Sequence, residues 1–207
     1  DAEHHLSPLE NAVRRAADGV LELCQPSDAE ILALRDAFVP SLVRVNEQDV
    51  YTRRPARWNE LPPEASSLLS HLVQARLLTV EQRDQERWVE VAHEALLRNW
   101  PLLRQWLDDA REFLVGCQRL EQELRDWQET SMESRTGHLL SGVKLTRAQT
   151  WLEERPRQIS TELRQFIEAS VANRDQLLQD QQRKQHLIIS GDRKSTRLNS
   201  SHLVISY

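Results

Sequence analysis

The sequence predicts a mainly α fold: a small helical domain closed by one β-hairpin, followed by an antiparallel helical arm. Three observations carry this. Apolar residues recur at gaps of three and four along most of the 207 residues. Glycine is scarce at 5, and 39% hydrophobic against 29% charged residues suits amphipathic helices with wetted outer faces. Alternation replaces the helical period only briefly, and its clearest stretch ends at a single residue, His93. Val89 and Val91 fall on one face and Trp88 and Glu90 on the other, whereas Ala95, Leu96 and Asn99 return to helical spacing.

The elements follow in order. The first helix is expected from Pro8 to Cys24, because Pro8 suits a first turn and Leu9, Val13, Ala16, Val20 and Cys24 form one stripe. Pro26 stops it. Ser27 followed by Glu30 is a capping-box signature, and Ile31, Leu34 and Phe38 stripe a second helix that Pro40 ends. Leu42-Val43-Arg44-Val45 reads as a short strand, Asn46-Glu47-Gln48-Asp49 as a polar turn and Arg53-Arg54-Pro55 as loop. Pro62-Pro63 announces a third helix, with Ala65, Leu68, Leu69, Leu72, Val73 and Arg76 at helical spacing. Leu77-Leu78-Thr79-Val80, a charged turn over 81–87 and a strand over 88–92 then make a hairpin.

Three helices followed by a hairpin is the order of a winged helix, so residues 1–100 are expected to form a winged-helix domain with His93 at the end of its wing. Pro101 opens a longer helix in which Leu103, Trp106, Ala110, Phe113, Cys117, Leu120, Leu124 and Trp127 keep a heptad seam. A loop over 130–142, a short helix near 146–154 holding Ala148, Trp151 and Leu152, and a long helix from Thr161 follow. The last carries Leu163, Phe166, Ile167, Ser170, Arg174, Leu177 and Gln181, a seam that turns polar. Residues 101–190 are therefore expected to pack as an antiparallel helical arm whose polar end projects into solvent.

The formal net charge of −5 gives no general attraction to nucleic acid or an anionic membrane. Cys24 and Cys117 fall on apolar helical faces and are expected as free thiols, which suits a reducing cytoplasm. No stretch approaches the roughly 18 apolar residues of a membrane span, and no signal peptide opens the chain. The chain reads as a fragment: Asp1 is not an initiator Met and leads straight into a helix. At the other end, Asp192 to His202 break the helical pattern and, back-translated in frame, resemble a common sequencing-library adapter, with Ile205-Ser206-Tyr207 fitting the stretch after its index. Residues 191–207 are expected to be a disordered tail and an assembly artefact.

The motifs of independent catalysis are absent: no G-x-x-x-x-G-K-[ST] loop, no paired-cysteine zinc spacing, no H-E-x-x-H and no G-x-S-x-G elbow. His4-His5 lacks further ligands, and His93-Glu94 has Leu97 and Arg98 where a second zinc histidine would be needed. No catalytic residue and no metal site is therefore expected. His93 lies at a strand-to-helix junction, where backbone N–H groups stay free and anions such as phosphates are commonly met. The ordinary alternative is a histidine that caps the following helix or is bonded inside the core.

The run Val89-Glu90-Val91-Ala92-His93-Glu94-Ala95-Leu96-Leu97-Arg98-Asn99-Trp100-Pro101-Leu102-Leu103-Arg104-Gln105-Trp106-Leu107, with Arg111-Glu112-Phe113-Leu114 after it, resembles the novel STAND NTPases. These are P-loop signalling ATPases, often bacterial, and many carry C-terminal WD repeats. The likeness extends upstream to Leu9-Glu10-Asn11-Ala12-Val13-Arg14-Arg15-Ala16-Ala17 and Leu42-Val43-Arg44-Val45, and downstream to Leu163-Arg164-Gln165-Phe166-Ile167-Glu168-Ala169-Ser170. In the related NB-ARC regulators the wing ends in a Met-His-Asp motif whose His touches the ADP β-phosphate and holds the protein closed. Ala92-His93-Glu94 resembles it by position, with Ala for Met and Glu for Asp. The resemblance thus implies His93 as ADP phosphate sensor with Glu94 as its neighbour.

It also implies ATP/ADP as cofactor of the full-length protein, with no tight binding by this fragment. The implied partners are an upstream P-loop NTPase domain and a downstream WD-repeat domain of the same protein, with oligomerisation on activation. The alternatives are a DNA-binding winged helix and a helical adaptor or scaffold. The first would read DNA with Glu64, His71, Gln74 and Arg76, which carry only one fixed positive charge. The second would dimerise through the heptad seams, which Trp106, Trp127 and Trp151 suit less well than packing of unequal helices.

Overall fold

The computed structural model describes residues 7–46, 48 and 50–200, with side chains to residue 187. His4, His5, Glu47, Asp49 and residues 201–207 lie outside the described residues. The chain is mainly α with two small antiparallel sheets, as the hydrophobic periods predict. It divides into two compact units, one of residues Asp1–Gln122 with Arg155–Ser160 and one of Glu123–Glu154 with Thr161–Tyr207.

In the first unit α1 spans Pro8–Cys24 and α2 spans Asp28–Asp36. Both begin with a capping box, Ser7 with Glu10 and Ser27 with Glu30: each serine hydroxyl accepts the glutamate N–H while the glutamate carboxylate accepts the serine N–H. The buried line of α1 is Val13, Ala17 and Val20, whereas Leu9 is 57% exposed and Ala16 and Cys24 are half-buried, because the helix turns the first of these faces to the rest of the unit. A π turn over Ala37–Leu42 follows α2, and Val39 takes an extended conformation there, the preference imposed by the Pro40 ring on the residue before it.

Strand β1 (Val43–Val45) pairs antiparallel with β2 (Tyr51–Arg53), so Arg53, expected in a loop, closes a strand. The Asn46 side-chain oxygen accepts the N–H groups of Gln48 and Val50 and turns the chain between them. Helix α3 (Ser66–Gln74) follows a short helical turn at Pro63–Ala65 and buries Leu68, Leu69 and Leu72. The second sheet has the order β3 (Ala56–Arg57), β5 (Glu86–Val91), β4 (Leu78–Arg83). Its hairpin is longer than the sequence suggests: the charged stretch read as a turn is strand on both sides, paired up to Arg83 with Glu86. Only Asp84 and Gln85 turn, with φ of 48° and 66°, the left-handed pair a two-residue hairpin loop requires.

After α4 (Ala95–Asn99) come α5 (Pro101–Asp109) and α6 (Arg111–Glu129). The heptad seam is read correctly and its helix is not: Ala110, at φ −101° and ψ 6°, breaks it in two. Leu103, Trp106, Ala110, Phe113, Cys117 and Leu120 are all buried in the first unit. Arg155–Ser160 return to that unit, where the Gln158 amide donates to Asp36 at 2.6 Å and the Arg155 guanidinium lies 4.9 Å from the Phe113 ring centre.

The second unit holds the end of α6, then α7 (Gly142–Glu154), which starts four residues before the predicted helix, and α8 (Thr161–Ser200). Helix α8 runs ten residues into the segment expected as a tail. Leu163, Phe166, Ile167 and Ser170 are buried, and Leu177 is 56% exposed beyond them. Ser170 is the buried polar residue of this core and is satisfied on both sides: its hydroxyl donates to Phe166 C=O at 2.8 Å and accepts Leu140 N–H at 3.1 Å.

The core of the first unit closes on Trp100, which is fully buried between α4 and α5. Its ring meets Phe38 and Trp106 edge-on at 6.1 and 6.0 Å, and its Nε1–H donates to Asp18 of α1 at 3.1 Å. Trp100→Ala is expected to lower the unfolding free energy of this unit by about 3–5 kcal/mol in urea titration; a loss under about 1 kcal/mol would show that Trp100 does not anchor it.

The two capping boxes give a pH dependence of known sign. Hydrogen bonds from the Ser27 backbone and then its side chain hold the Glu30 carboxyl below the usual carboxylate range, and Ser7 does the same for Glu10. A lowered folded pKa stabilises above the unfolded value and ceases to as pH falls through the folded one. Glu30→Ala is therefore expected to melt below the parent protein at pH 7, with the two melting points converging as the pH falls through and below the ordinary carboxylate range; a constant gap would refute the charge-based account.

Candidate functional site

The strand-to-helix junction is built from three supports. Val89 and Val91 face the core, 1% and 0% exposed, and fix β5 from below. Ala92 N–H donates to Leu77 C=O at 2.9 Å, which extends the hairpin ladder one residue past its last strand pair. Leu96 and Leu97, each 1% exposed, hold the first turn of α4 down on the core, and Trp100 and Pro101 end it by taking the chain directly into α5.

Between these supports His93 is exposed. Its backbone carbonyl accepts Leu96 N–H at 3.0 Å, and its imidazole makes no hydrogen bond among the described residues. Neither ordinary role of a histidine at this place is seen. His93 is not in the core, and α4 begins without a side-chain cap. The free N–H groups expected at the helix start are fewer than the sequence suggests, since Leu96 and Leu97 N–H bond to the carbonyls of His93 and Glu94. With only five residues in α4, the helix terminus is no anion site of its own, and the imidazole is the donor the junction offers outward.

Glu94 precedes α4 as its N-cap residue, exposed, with its carboxylate 3.5 Å from Arg98 one turn on. Such an exposed pair contributes little to stability. The structure thus brings His93 and Glu94 together in sequence but gives Glu94 a partner on α4.

Two features escaped the sequence reading. Arg53, from β2, reaches the junction: its Nη1 donates to Val91 C=O and Ala92 C=O, each at 3.4 Å, and its Nε lies 3.3 Å from the Glu90 carboxylate. The hairpin also carries stacked guanidinium and indole groups, with Arg87 3.9 Å above Trp58 and Arg57 5.4 Å and Arg83 5.7 Å from Trp88. Arg57 pairs with Glu60 and Glu86, and Arg83 with Glu81, which leaves this surface close to neutral. Both features join residues about 30 positions apart or more, or residues whose strand character the charged sequence hid.

The remaining candidates carry no chemistry. Burial, with the Glu121 carboxylate adding to it, pushes the Cys117 thiol up to about 12, so it stays protonated and unreactive at neutral pH. On the third helix the His71 ring bonds to Ser67 C=O at 2.8 Å and Arg76 leaves the helix at φ 58°, so the positions proposed for reading DNA present one guanidinium. Among the described residues no group of three His, Cys, Asp or Glu side chains is placed to hold a metal, and no helix is long and apolar enough to cross a membrane.

No curated protein and no solved structure matches the chain. Residues 4–135, nearly two thirds of the sequence and the whole of α1 to α6 with the junction between β5 and α4, match the family Novel STAND NTPase 1. The chain belongs to the novel STAND NTPase 1 family.

Proposed function

We propose that this chain is the regulatory winged-helix and helical-arm part of a STAND-type signalling NTPase, in which His93 reports the nucleotide state of a P-loop domain upstream. Residues 1–100 would be the winged helix, 101–190 the arm that leads to a downstream WD-repeat sensor, and ATP or ADP the nucleotide of the whole protein, which would work in the cytoplasm. The observation that carries the reading is the exposed imidazole of His93, without a hydrogen bond among the described residues, on a backbone fixed from both sides. An imidazole N–H donates to a phosphate oxygen, and a charged acceptor makes that bond worth more than a neutral one. Family membership supports an NTPase context for it.

The proposed coupling is a two-state one. With ADP held by His93 the winged helix stays docked on the nucleotide domain, and loss of that bond frees it, so the nucleotide needs only a difference in affinity between the two states. Glu94 is the neighbour in the motif; its pairing with Arg98 keeps its charge directed along α4.

In the protein extended upstream through its nucleotide-binding domain, His93→Ala is expected to speed ADP release about tenfold or more, the worth of a hydrogen bond to a charged group. Release measured with a fluorescent ADP analogue at the parental rate would sink the proposal.

A further inference from the structure

Arg53 closes β2 in one sheet, and its guanidinium crosses to the end of β5 in the other. There it touches three consecutive residues: the Glu90 carboxylate at 3.3 Å and the Val91 and Ala92 carbonyls at 3.4 Å. Ala92 is also held from its other side, since its N–H donates to Leu77 C=O at 2.9 Å. Ala92, the residue that leads into His93, is thus bonded at both its N–H and its C=O, one from the hairpin and one from a strand 39 residues away. Neither the cap nor the core orients His93, so the direction in which its side chain leaves the surface is set by this backbone.

We infer that Arg53 is a positioning residue, which holds the end of β5 so that the His93 imidazole meets the phosphate. This rests on the reading of His93 as the phosphate-facing group. An exposed donor is useful only when its backbone is held close to the productive geometry, and the residues behind it supply that. Arginine suits the task because one planar fork spans two carbonyls and a carboxylate at once, where a lysine offers a single point charge on a flexible stem.

The test compares Arg53→Met, Arg53→Lys and Glu90→Gln in the ADP-loaded protein that includes the nucleotide-binding domain, with His93→Ala beside them. Arg53→Met is expected to speed ADP release about three- to tenfold, as the loss of one or two hydrogen bonds would. Arg53→Lys should fall between it and the parent, and Glu90→Gln should stay near the parent because the carbonyl contacts remain. Hydrogen exchange of this chain should show the Ala92 amide less protected in Arg53→Met, with α3 unchanged. Parental ADP release in Arg53→Met while His93→Ala releases quickly would overturn the positioning role and leave the His93 reading standing. Equal loss of protection in α3 would mark a general destabilisation and also overturn it. No effect of His93→Ala would overturn both.

Discussion

Burial of one indole at a chain reversal governs the first unit. Trp100 is both the C-cap of α4 and the residue before Pro101, so the proline ring fixes the break between α4 and α5 while the indole fixes where that break lies. Because the ring contacts Phe38 and bonds Asp18, two segments distant in sequence converge on it, beside Trp106 of the next helix. Helix α4 is too short to be stable by itself, and it persists because Leu96, Leu97 and Trp100 are buried on one side of it. His93 lies between β5 and α4. Strand β5 ends at Val91 and α4 starts at Ala95, so neither period governs position 93, and its side chain is exposed between the two buried faces.

This geometry ties stability to function in opposite ways at neighbouring positions. Leu96, Leu97 and Trp100 are packing residues, and their value lies in apolar area removed from water. His93 is exposed, with no hydrogen bond from its imidazole among the described residues, and Arg53 makes three contacts at the end of β5 with a half-exposed side chain. On the proposed reading, His93 acts by what it presents and Arg53 by the strand end it holds.

Much of this was legible in local signals. Proline and serine punctuation placed α1 to the residue, and the Ser27 and Glu30 box and the start of α8 at Thr161 likewise needed no tertiary information. The hairpin was legible where Val89 and Val91 alternate and illegible where Glu81 to Arg87 are all polar, because both of its faces are wet there and alternation has nothing to record. Strand β2 hid for the same reason: Tyr51, Thr52 and Arg53 are none of them buried, and their strand conformation comes from pairing with the buried β1. Ala110 shows the converse, since a heptad seam continues through a break in the helix that carries it. At the site, the place of His93 was legible from the change of period, whereas the reach of Arg53 depends on contacts across 38 and 39 residues.

The central claim is that the junction offers its imidazole to a phosphate. The measurement that bears on it most directly is the structure of the ADP-bound protein with its nucleotide-binding domain in place. A ring nitrogen of His93 is expected within about 2.7–3.2 Å of a phosphate oxygen. Bound ADP with His93 turned to solvent, beyond reach of any phosphate oxygen, would contradict the account.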